Sequence, residues 1–281
     1  MSKSNKLIIT AALTGAGTSK STVPALPVTA EEIAADAIRC AKAGASIIHI
    51  HVRDETGNCT METRYFTEAF RAIKAACIKE QQDLIVNLTT SNGPGTDELR
   101  LAHLEELRPE MCSFDAGTMN WGNNTIFENS PQFLEKLGSQ TRKLNIKPEV
   151  ELFDASMIGN MNYYIKNGFL FPPIHVQFVL GVPGGLDGTI DSLNFMLPKI
   201  PLETTWSITG IGKTHMSMML AGLAAGADGL RVGLEDNVMM AKGVQASNVK
   251  LVERAVTLAK IAGREIATPE EARKILGITR K

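Results

Sequence analysis

The chain has 281 residues, which is enough for one α/β barrel or for two modest domains. Lysine and arginine total 29 against 30 aspartate and glutamate, so the formal net charge of -1 gives no basic surface for a nucleic acid. No apolar stretch approaches the roughly 20 residues of a membrane span. The sequence contains no Ser/Gly/Pro-rich linker, which predicts a single domain over residues 1–281.

The cysteines and the amino end indicate a compartment. Cys40, Cys59, Cys77 and Cys112 form no Cys-x-x-Cys pair, so neither a zinc ribbon nor a thioredoxin-like site is predicted. The first residues are polar, and the apolar segment after them is too short and interrupted for a signal peptide. We therefore predict a cytoplasmic protein with reduced thiols.

Short segments rich in β-branched residues alternate along the chain with segments of helical period. The predicted strands are residues 7–12, 46–52, 84–89, 111–115, 147–152, 174–179, 204–208 and 229–232. The intervening helices include residues 30–43, where Thr29 and Glu32 form a capping-box pattern, 97–107 and 214–225. This alternation predicts a parallel sheet, and eight units predict closure into an α/β (β/α)₈ TIM barrel.

The second predicted strand carries two histidines, His49 and His51, among β-branched residues. Side chains alternate along a strand, so both imidazoles point to the same face. Only five histidines occur in the chain, and packing alone does not explain two of them in one apolar strand. The alternative is a pair of buried histidines bonded to carbonyl groups, but a metal site is favoured.

A catalytic zinc site usually has three protein ligands, and the carboxyl ends of barrel strands collect the chemistry of this fold. Glu235 follows the eighth strand and keeps the same parity as Arg231, so it is one candidate for the third ligand. Glu149 and Glu151 share a face of the fifth strand and compete for the role. Either of these two acids could instead pair with a basic residue or accept a hydrogen bond from a ligating histidine.

Other features of the sequence leave alternatives open. The glycine-rich segments 181–185 and 210–214, the second with Lys213, are equally consistent with a phosphate cradle and with plain turns. His103 is predicted to be a packing or surface residue of its helix, and His175 to lie at the amino end of its strand. His215 opens a helix and could touch a ligand. No serine or cysteine nucleophile motif is present.

Six segments in order resemble the family of β-keto acid cleavage enzymes. They are Ile9-Thr10-Ala11-Ala12 with Thr14-Gly15-Ala16, Ile48-His49-Ile50-His51-Val52-Arg53, Asp115-Ala116-Gly117-Thr118-Met119-Asn120, Pro148-Glu149-Val150-Glu151, residues 175–185, and Arg231-Val232-Gly233-Leu234-Glu235-Asp236-Asn237. The resemblance implies a zinc-bearing, homo-oligomeric TIM barrel that converts a β-keto acid and acetyl-CoA into acetoacetate and a new acyl-CoA.

The resemblance also implies roles for single residues. The family's zinc ligands fall on His49, His51 and Glu235, and its substrate-contacting positions on Thr89, Asn92, Thr118 and Asn120. Proton abstraction falls on Asp236 and charge stabilisation on Arg231. We expect Asp236 to be oriented by Arg231 and by the Thr89 hydroxyl.

The chain departs from this pattern at Gly17. A family member that acts on an amino-substituted keto acid carries an acid at the corresponding position, after Thr-Gly-Ala, to hold the ammonium group. Gly17 cannot do so, which predicts a substrate whose tail is uncharged or differently charged. A second departure, threonine for serine at Thr89, keeps the hydroxyl.

Two other classes compete with this interpretation. A metal-dependent amidohydrolase barrel would also have a His-x-His strand and a carboxylate on the last strand. It would need the histidine pair on the first strand and further ligands on the fourth to sixth strands, which the sequence does not offer. A non-enzymatic metal-stabilised barrel would predict loss of the base or the ligands, yet His49, His51, Glu235, Arg231 and Asp236 are all present.

Overall fold

The computed structural model describes residues 5–91 and 96–280, and in them eight parallel strands close into a barrel. The last strand pairs with the first through Ile8 and Gly229, which confirms the predicted TIM barrel. The strands are β1 Lys6–Ala12, β2 Ile47–Ile50, β3 Ile85–Leu88, β4 Met111–Asp115, β5 Lys147–Leu152, β6 His175–Leu180, β7 Thr205–Gly210 and β8 Gly229–Val232. A short strand, β9 (Glu265–Ile266), pairs with the first two residues of β1, Lys6 and Leu7.

One α-helix follows each barrel strand in the described part of the chain, and a ninth helix lies near its carboxyl-terminal end. They are α1 Ala30–Ala43, α2 Thr63–Glu80, α3 Asp97–Leu107, α4 Pro131–Leu144, α5 Ser156–Lys166, α6 Ile190–Met196, α7 His215–Ala224, α8 Asn248–Ile261 and α9 Pro269–Leu276. The capping box predicted at Thr29 and Glu32 is formed. Within the described ranges, no helix is both long and apolar enough to cross a membrane.

The amino-terminal end of the barrel is closed by α9. Ile8, Ile47, Ile85 and Met111 lie at the starts of neighbouring strands and pack with Leu276 and other residues of the carboxyl-terminal segment. Burial of one such large apolar side chain stabilises the fold by about 1.5–3 kcal/mol. The closed end leaves the carboxyl ends of the strands as the open face of the barrel.

The predicted second strand is interrupted at His51. The barrel strand ends at Ile50, and Val52–Arg53 pairs instead with Cys59–Thr60 in a hairpin. The Thr14 hydroxyl accepts from the His51 N–H and donates to its carbonyl, both at 2.8 Å. Because one side chain satisfies the main-chain groups of His51, the strand can end there without leaving them unpaired.

Two further hairpins extend the open face of the barrel. Met119–Trp121 pairs with Thr125–Phe127 after β4, and Met239–Ala241 pairs with Val244–Gln245 after β8. The sequence did not predict either hairpin, since their strands are only two or three residues long. The first of them supplies part of the wall of the cavity described below.

Candidate active site

Three ligand-type side chains converge at the open face of the barrel. Nε2 of His49 and Nε2 of His51 each lie 3.5 Å from the same oxygen, Oε1 of Glu235. The histidines come from β2 and the residue after it, whereas Glu235 follows β8. These strands are separated only by β1, so barrel closure brings together the three residues that the family resemblance implies as ligands.

A glycine positions the carboxylate in this group. At Gly233 the backbone has φ of +147°, and a Cβ there would lie 2.0 Å from the Ala12 carbonyl oxygen. Only glycine fits such a close approach in that conformation. The turn allows Glu235 to donate its N–H to Ala12 at 3.3 Å, which fixes its side chain above the histidines.

The three side chains fit a zinc ion. Nitrogen and oxygen donors about 2.1 Å from a tetrahedral ion lie roughly 3.4 Å from one another, close to the observed 3.5 Å. Burial lowers the pKa of His51, but the Glu235 carboxylate and Cys59 outweigh it and raise this pKa to about 10. The carboxylate therefore favours a positive charge among the three donors, either a proton or a metal cation.

Arg231 links the three donors to two more carboxylates. Its guanidinium donates to Glu235 at 2.5 Å, to Glu151 at 3.1 Å and to Asp236 at 2.9 Å. The side chain is only 3% exposed, so these are buried charge-assisted bonds. Glu151 thus pairs with a basic residue, Arg231, which is one of the two alternatives predicted for it. We call Arg231, Glu151, Glu235 and Asp236 the charged cluster.

Asp236 is oriented by a different hydroxyl from the one expected. Thr209 on β7 donates to Asp236 Oδ2 at 3.0 Å, whereas the Thr89 hydroxyl lies 2.9 Å from that of Ser91. The structure therefore corrects the expectation that the Thr89 hydroxyl orients Asp236, while a catalytic role of Thr89 stays a prediction. Thr89 follows β3, three strands around the barrel from β8, while β7 is the direct neighbour of β8.

Of the other expected substrate contacts, Thr118 and Asn120 are not among the residues that line the cavity described below. Asn92 falls outside the described residues. Thr118 is exposed, and its hydroxyl accepts the N–H of Asn129 at 2.9 Å. Asn120 is exposed on the hairpin after β4, where its neighbour Trp121 faces the cavity instead. Substrate contacts at these three positions stay predictions.

Two further acids at the site have raised pKa values. Burial and the neighbouring charge of Glu151 raise the pKa of Glu149 to about 7. The same two causes hold the pKa of Asp115 well above its usual range. Glu149 accepts a hydrogen bond from Asn87 at 2.7 Å, and with His49 and Glu151 it forms a second group of donor atoms within 4.8 Å of one another.

The remaining histidines are buried away from the cavity. His103 stacks on Phe66 with ring centroids 4.0 Å apart, so it is a packing residue. His175 begins β6 and lies 2.9 Å from the Thr205 hydroxyl, at the amino end as predicted. His215 is buried at the start of α7, and burial lowers its pKa to about 4. None of the three lies with His49, His51 and Glu235, and the His-x-His pair is on the second barrel strand, which disfavours an amidohydrolase site.

A cavity of about 360 Å³ opens above these groups. Its floor is polar and includes the charged cluster, while the rest of its lining is largely apolar. It is lined by Ala16, Gly17, His49, His51, Ser91, Asp115, Trp121, Gly122, Phe127, Glu151, Phe153, Val179, Val182, Pro183, Ile211, Arg231, Glu235 and Asp236. The sequence did not single out the aromatic and aliphatic members of this lining.

A TIM barrel with a cavity and a buried charged cluster at the carboxyl ends of its strands has the arrangement of an enzyme of this fold. Comparison with known proteins identifies the family: residues 6–278 match the profile described as beta-keto acid cleavage enzyme, and the chain belongs to that family. The resemblance found in the sequence is thereby confirmed.

Characterised relatives cover nearly the whole chain. It is 43% identical over 274 residues to the 3-keto-5-aminohexanoate cleavage enzyme of Fusobacterium nucleatum subsp. nucleatum, covering 97% of this chain and 98% of that protein. It is 34% identical over 303 residues to the 3-dehydrocarnitine:acetyl-CoA trimethylamine transferase of Rhizobium meliloti, covering 100% and 99%.

Among solved structures, the apo structure of ObcA has the same fold. It superposes with a TM-score of 0.79 at 20% identity, and the match covers 91% of this chain and 66% of that chain. At this level of identity the similarity concerns the fold alone.

Proposed function

We propose that this enzyme is a zinc-dependent acyltransferase that condenses a β-keto acid with acetyl-CoA to give acetoacetate and a new acyl-CoA. The observation that carries the proposal is the convergence of His49, His51 and Glu235 beside the ion pair of Arg231 and Asp236. Relatives named as acetyl-CoA transferases and as keto acid cleavage enzymes support the same chemistry.

In this proposal His49, His51 and Glu235 hold the metal ion. Such an ion supplies Lewis-acid stabilisation of the negative charge that develops on the keto oxygen when the substrate is deprotonated. Glu235 Oε2 is buried beside the three donors, with no hydrogen-bond partner among the described residues. Unsatisfied buried polar atoms of this kind are expected where a ligand or ion completes a site.

Asp236 is the proposed base. Its Oδ2 accepts from Thr209 and from Arg231 Nε, whereas Oδ1 accepts only from the second Arg231 nitrogen, at 3.1 Å, within the described ranges. Oδ1 therefore has capacity to take the proton from the carbon between the two carbonyls. Arg231 keeps the carboxylate in place during this step.

The remaining steps need no nucleophile from the protein. The substrate carbanion attacks the thioester carbonyl, the CoA thiol is transferred to the former keto carbon, and the bond between that carbon and the carbanion carbon breaks. Asp236 returns its proton to the carbanion carbon as acetoacetate leaves. The protein's part is to bind, orient and exchange one proton, which agrees with the lack of a serine or cysteine nucleophile motif.

The substrate is proposed to differ from 3-keto-5-aminohexanoate. Gly17 lines the cavity, and a Cβ built on it would meet no atom within 4 Å. The space for an acidic side chain is present while the acid is not, so an ammonium tail has no carboxylate partner at this position. A homo-oligomeric state and a cytoplasmic location are further predictions from the family and the sequence.

The test is a panel of β-keto acids incubated with acetyl-CoA while acetoacetate is measured. We expect acetyl-CoA-dependent acetoacetate release that is lost on chelation and restored by zinc. We expect Glu235→Gln to lose bound zinc, measured by elemental analysis, and with it the activity. Turnover that survives complete chelation, or hydrolysis of an amide or lactone without acetyl-CoA, would contradict the proposal.

A further inference from the structure

The cavity has two chemically different sides. Its charged and imidazole lining residues are His49, His51, Asp115 and the charged cluster, which form the polar floor. Its buried apolar lining residues are Phe127, Phe153, Val179 and Val182, each at most 4% exposed. We call these four residues the apolar wall.

The aromatic part of this side is a packed cluster rather than a cage for a cation. The rings of Phe127 and Phe153 lie 6.2 Å apart at 77°, and Trp121 contacts them at 5.4 and 5.8 Å with angles of 70° and 73°. In these edge-to-face pairs the edge of one ring covers part of the face of another. A cation binds over the face of an aromatic ring, so these faces are partly blocked. The apolar wall itself carries no charged group.

A β-keto acid has a polar head and a variable tail. Its keto and carboxylate oxygens belong with the polar floor, where Arg231, His49, His51 and Glu235 lie, so its tail meets the remaining lining, which is largely apolar. A charged tail there would be desolvated without a partner, which is costly. An apolar tail gains roughly fourfold in binding for each methylene group it buries.

We propose that the apolar wall selects β-keto acids with an uncharged, apolar tail, aliphatic or aromatic, and that Val182 and Phe153 are specificity-determining residues. This inference rests on the proposed function and names its substrate class. It goes beyond the absence of an acid at Gly17, because it excludes acidic tails as well as cationic ones.

The thioester arm of acetyl-CoA is the competing occupant of an apolar surface. The exposed rim of the cavity is formed by Trp121, Pro183 and Ala16, and Trp121 is 40% exposed. A long flexible co-substrate reaches the floor across this rim, whereas the apolar wall is buried below it. Changes in the wall should therefore alter the kinetics of the keto acid and leave the KM for acetyl-CoA unchanged.

The experiment compares tails of matched size with metal-loaded enzyme. The apolar series is 3-oxopentanoate, 3-oxohexanoate, 3-oxo-5-methylhexanoate and 3-oxo-4-phenylbutanoate. The charged series is 3-oxoadipate, 3-keto-5-aminohexanoate and 3-dehydrocarnitine. We expect kcat/KM to rise about fourfold per methylene along the apolar series and to be about 100-fold lower or more for charged tails of similar length.

Val182→Thr provides a nearly isosteric polar variant, and Val244→Thr on an exposed hairpin is its matched control. We expect Val182→Thr to lower kcat/KM for apolar tails about tenfold with an unchanged KM for acetyl-CoA, and Val244→Thr to change neither. A charged tail as best substrate, or a raised KM for acetyl-CoA in Val182→Thr, would overturn the inference while the proposed function stands. Absence of acetoacetate with every keto acid would overturn the proposed function, and the inference with it.

Discussion

Two buried arginines lie at opposite ends of the barrel. Arg231 lies at the carboxyl ends of the strands, and Arg273 on α9 lies at the amino ends; each side chain is 3% exposed. Arg273 donates two hydrogen bonds to Glu110, at 2.5 and 3.1 Å, and two to Asp83, at 2.5 and 2.9 Å. Both guanidiniums are thus buried and bind several carboxylates, of which Asp83 is 35% exposed.

The two ends differ in whether their buried carboxylate oxygens all have hydrogen-bond partners. Every carboxylate oxygen of Glu110 and Asp83 accepts a hydrogen bond from Arg273. Around Arg231, Glu235 Oε2 and Asp115 Oδ2 are buried with no partner in the described part of the chain. Each unsatisfied buried group costs about 1–3 kcal/mol. The same ion-pair chemistry is therefore fully satisfied at the amino ends of the strands and only partly satisfied at the carboxyl ends, where the proposed function places the substrate.

The largest effect is expected at the incomplete end. Asp236→Asn keeps the shape of the side chain but removes the proposed base, so we expect kcat to fall about 10²- to 10⁴-fold. Bound zinc, measured by elemental analysis, should stay at the wild-type level because Asp236 is not among the three donors. A variant that retains wild-type kcat would show that another group takes the proton.

At the complete end the effect should be on stability alone. Arg273→Met leaves the buried Glu110 carboxylate without its counter-ion, whereas Asp83 is 35% exposed and also lies 3.8 Å from Arg280. We expect the free energy of unfolding in urea to fall by about 3–5 kcal/mol, mainly because Glu110 is left buried and unpaired. The kcat per folded molecule should be unchanged, because Arg273 lies at the opposite end from the cavity. A matched variant, Lys143→Met, removes only an exposed pair with Glu105 and should cost at most about 1 kcal/mol. Equal losses in the two variants would show that the buried pairs of Arg273 stabilise the fold no more than an exposed pair does.

The sequence predicts the local features of this protein but not the contacts that depend on barrel closure. Strand and helix periods are local, so the eight strands, the helices and the shared face of His49 and His51 follow from residue spacing. The partners of Arg231 and Arg273 depend on which strands and helices become neighbours after closure, and no local pattern encodes that. Thr209 could have been found, because it shares the parity of inward residues on β7, the strand next to β8.

The apolar lining of the cavity is not predicted by the sequence for a different reason. Trp121 and Phe127 lie on a hairpin whose strands have three residues each, too short to show a period. Phe153 and Val182 lie in loops directly after β5 and β6, where an apolar residue is hard to distinguish from the end of a strand. The sequence thus predicted the charged floor of the site better than its apolar wall.

The smallest effect is expected at His103, a titratable group that belongs to neither end. It is fully buried in α3 against Phe66, and burial lowers its pKa to about 3 against an opposing contribution from the Thr89 backbone. Because its pKa is depressed in the folded state, the unfolded chain binds the proton first as the pH falls below about 6.5. Stability present above that pH is therefore lost between about 6.5 and 3, by up to about 1.4 kcal/mol per pH unit.

His103→Leu and His103→Gln should both remove this loss, since neither side chain titrates. We expect the free energy of unfolding of each variant to fall less steeply than that of the wild type between pH 6 and 4.5, measured by urea titration. The Gln variant should be the less stable of the two at pH 7.5, because it buries an amide where Leu buries only carbon. An unchanged slope in both would mean that the pKa of His103 is not lowered on folding. It would also remove the contrast between a histidine buried only for packing and the two that face Glu235.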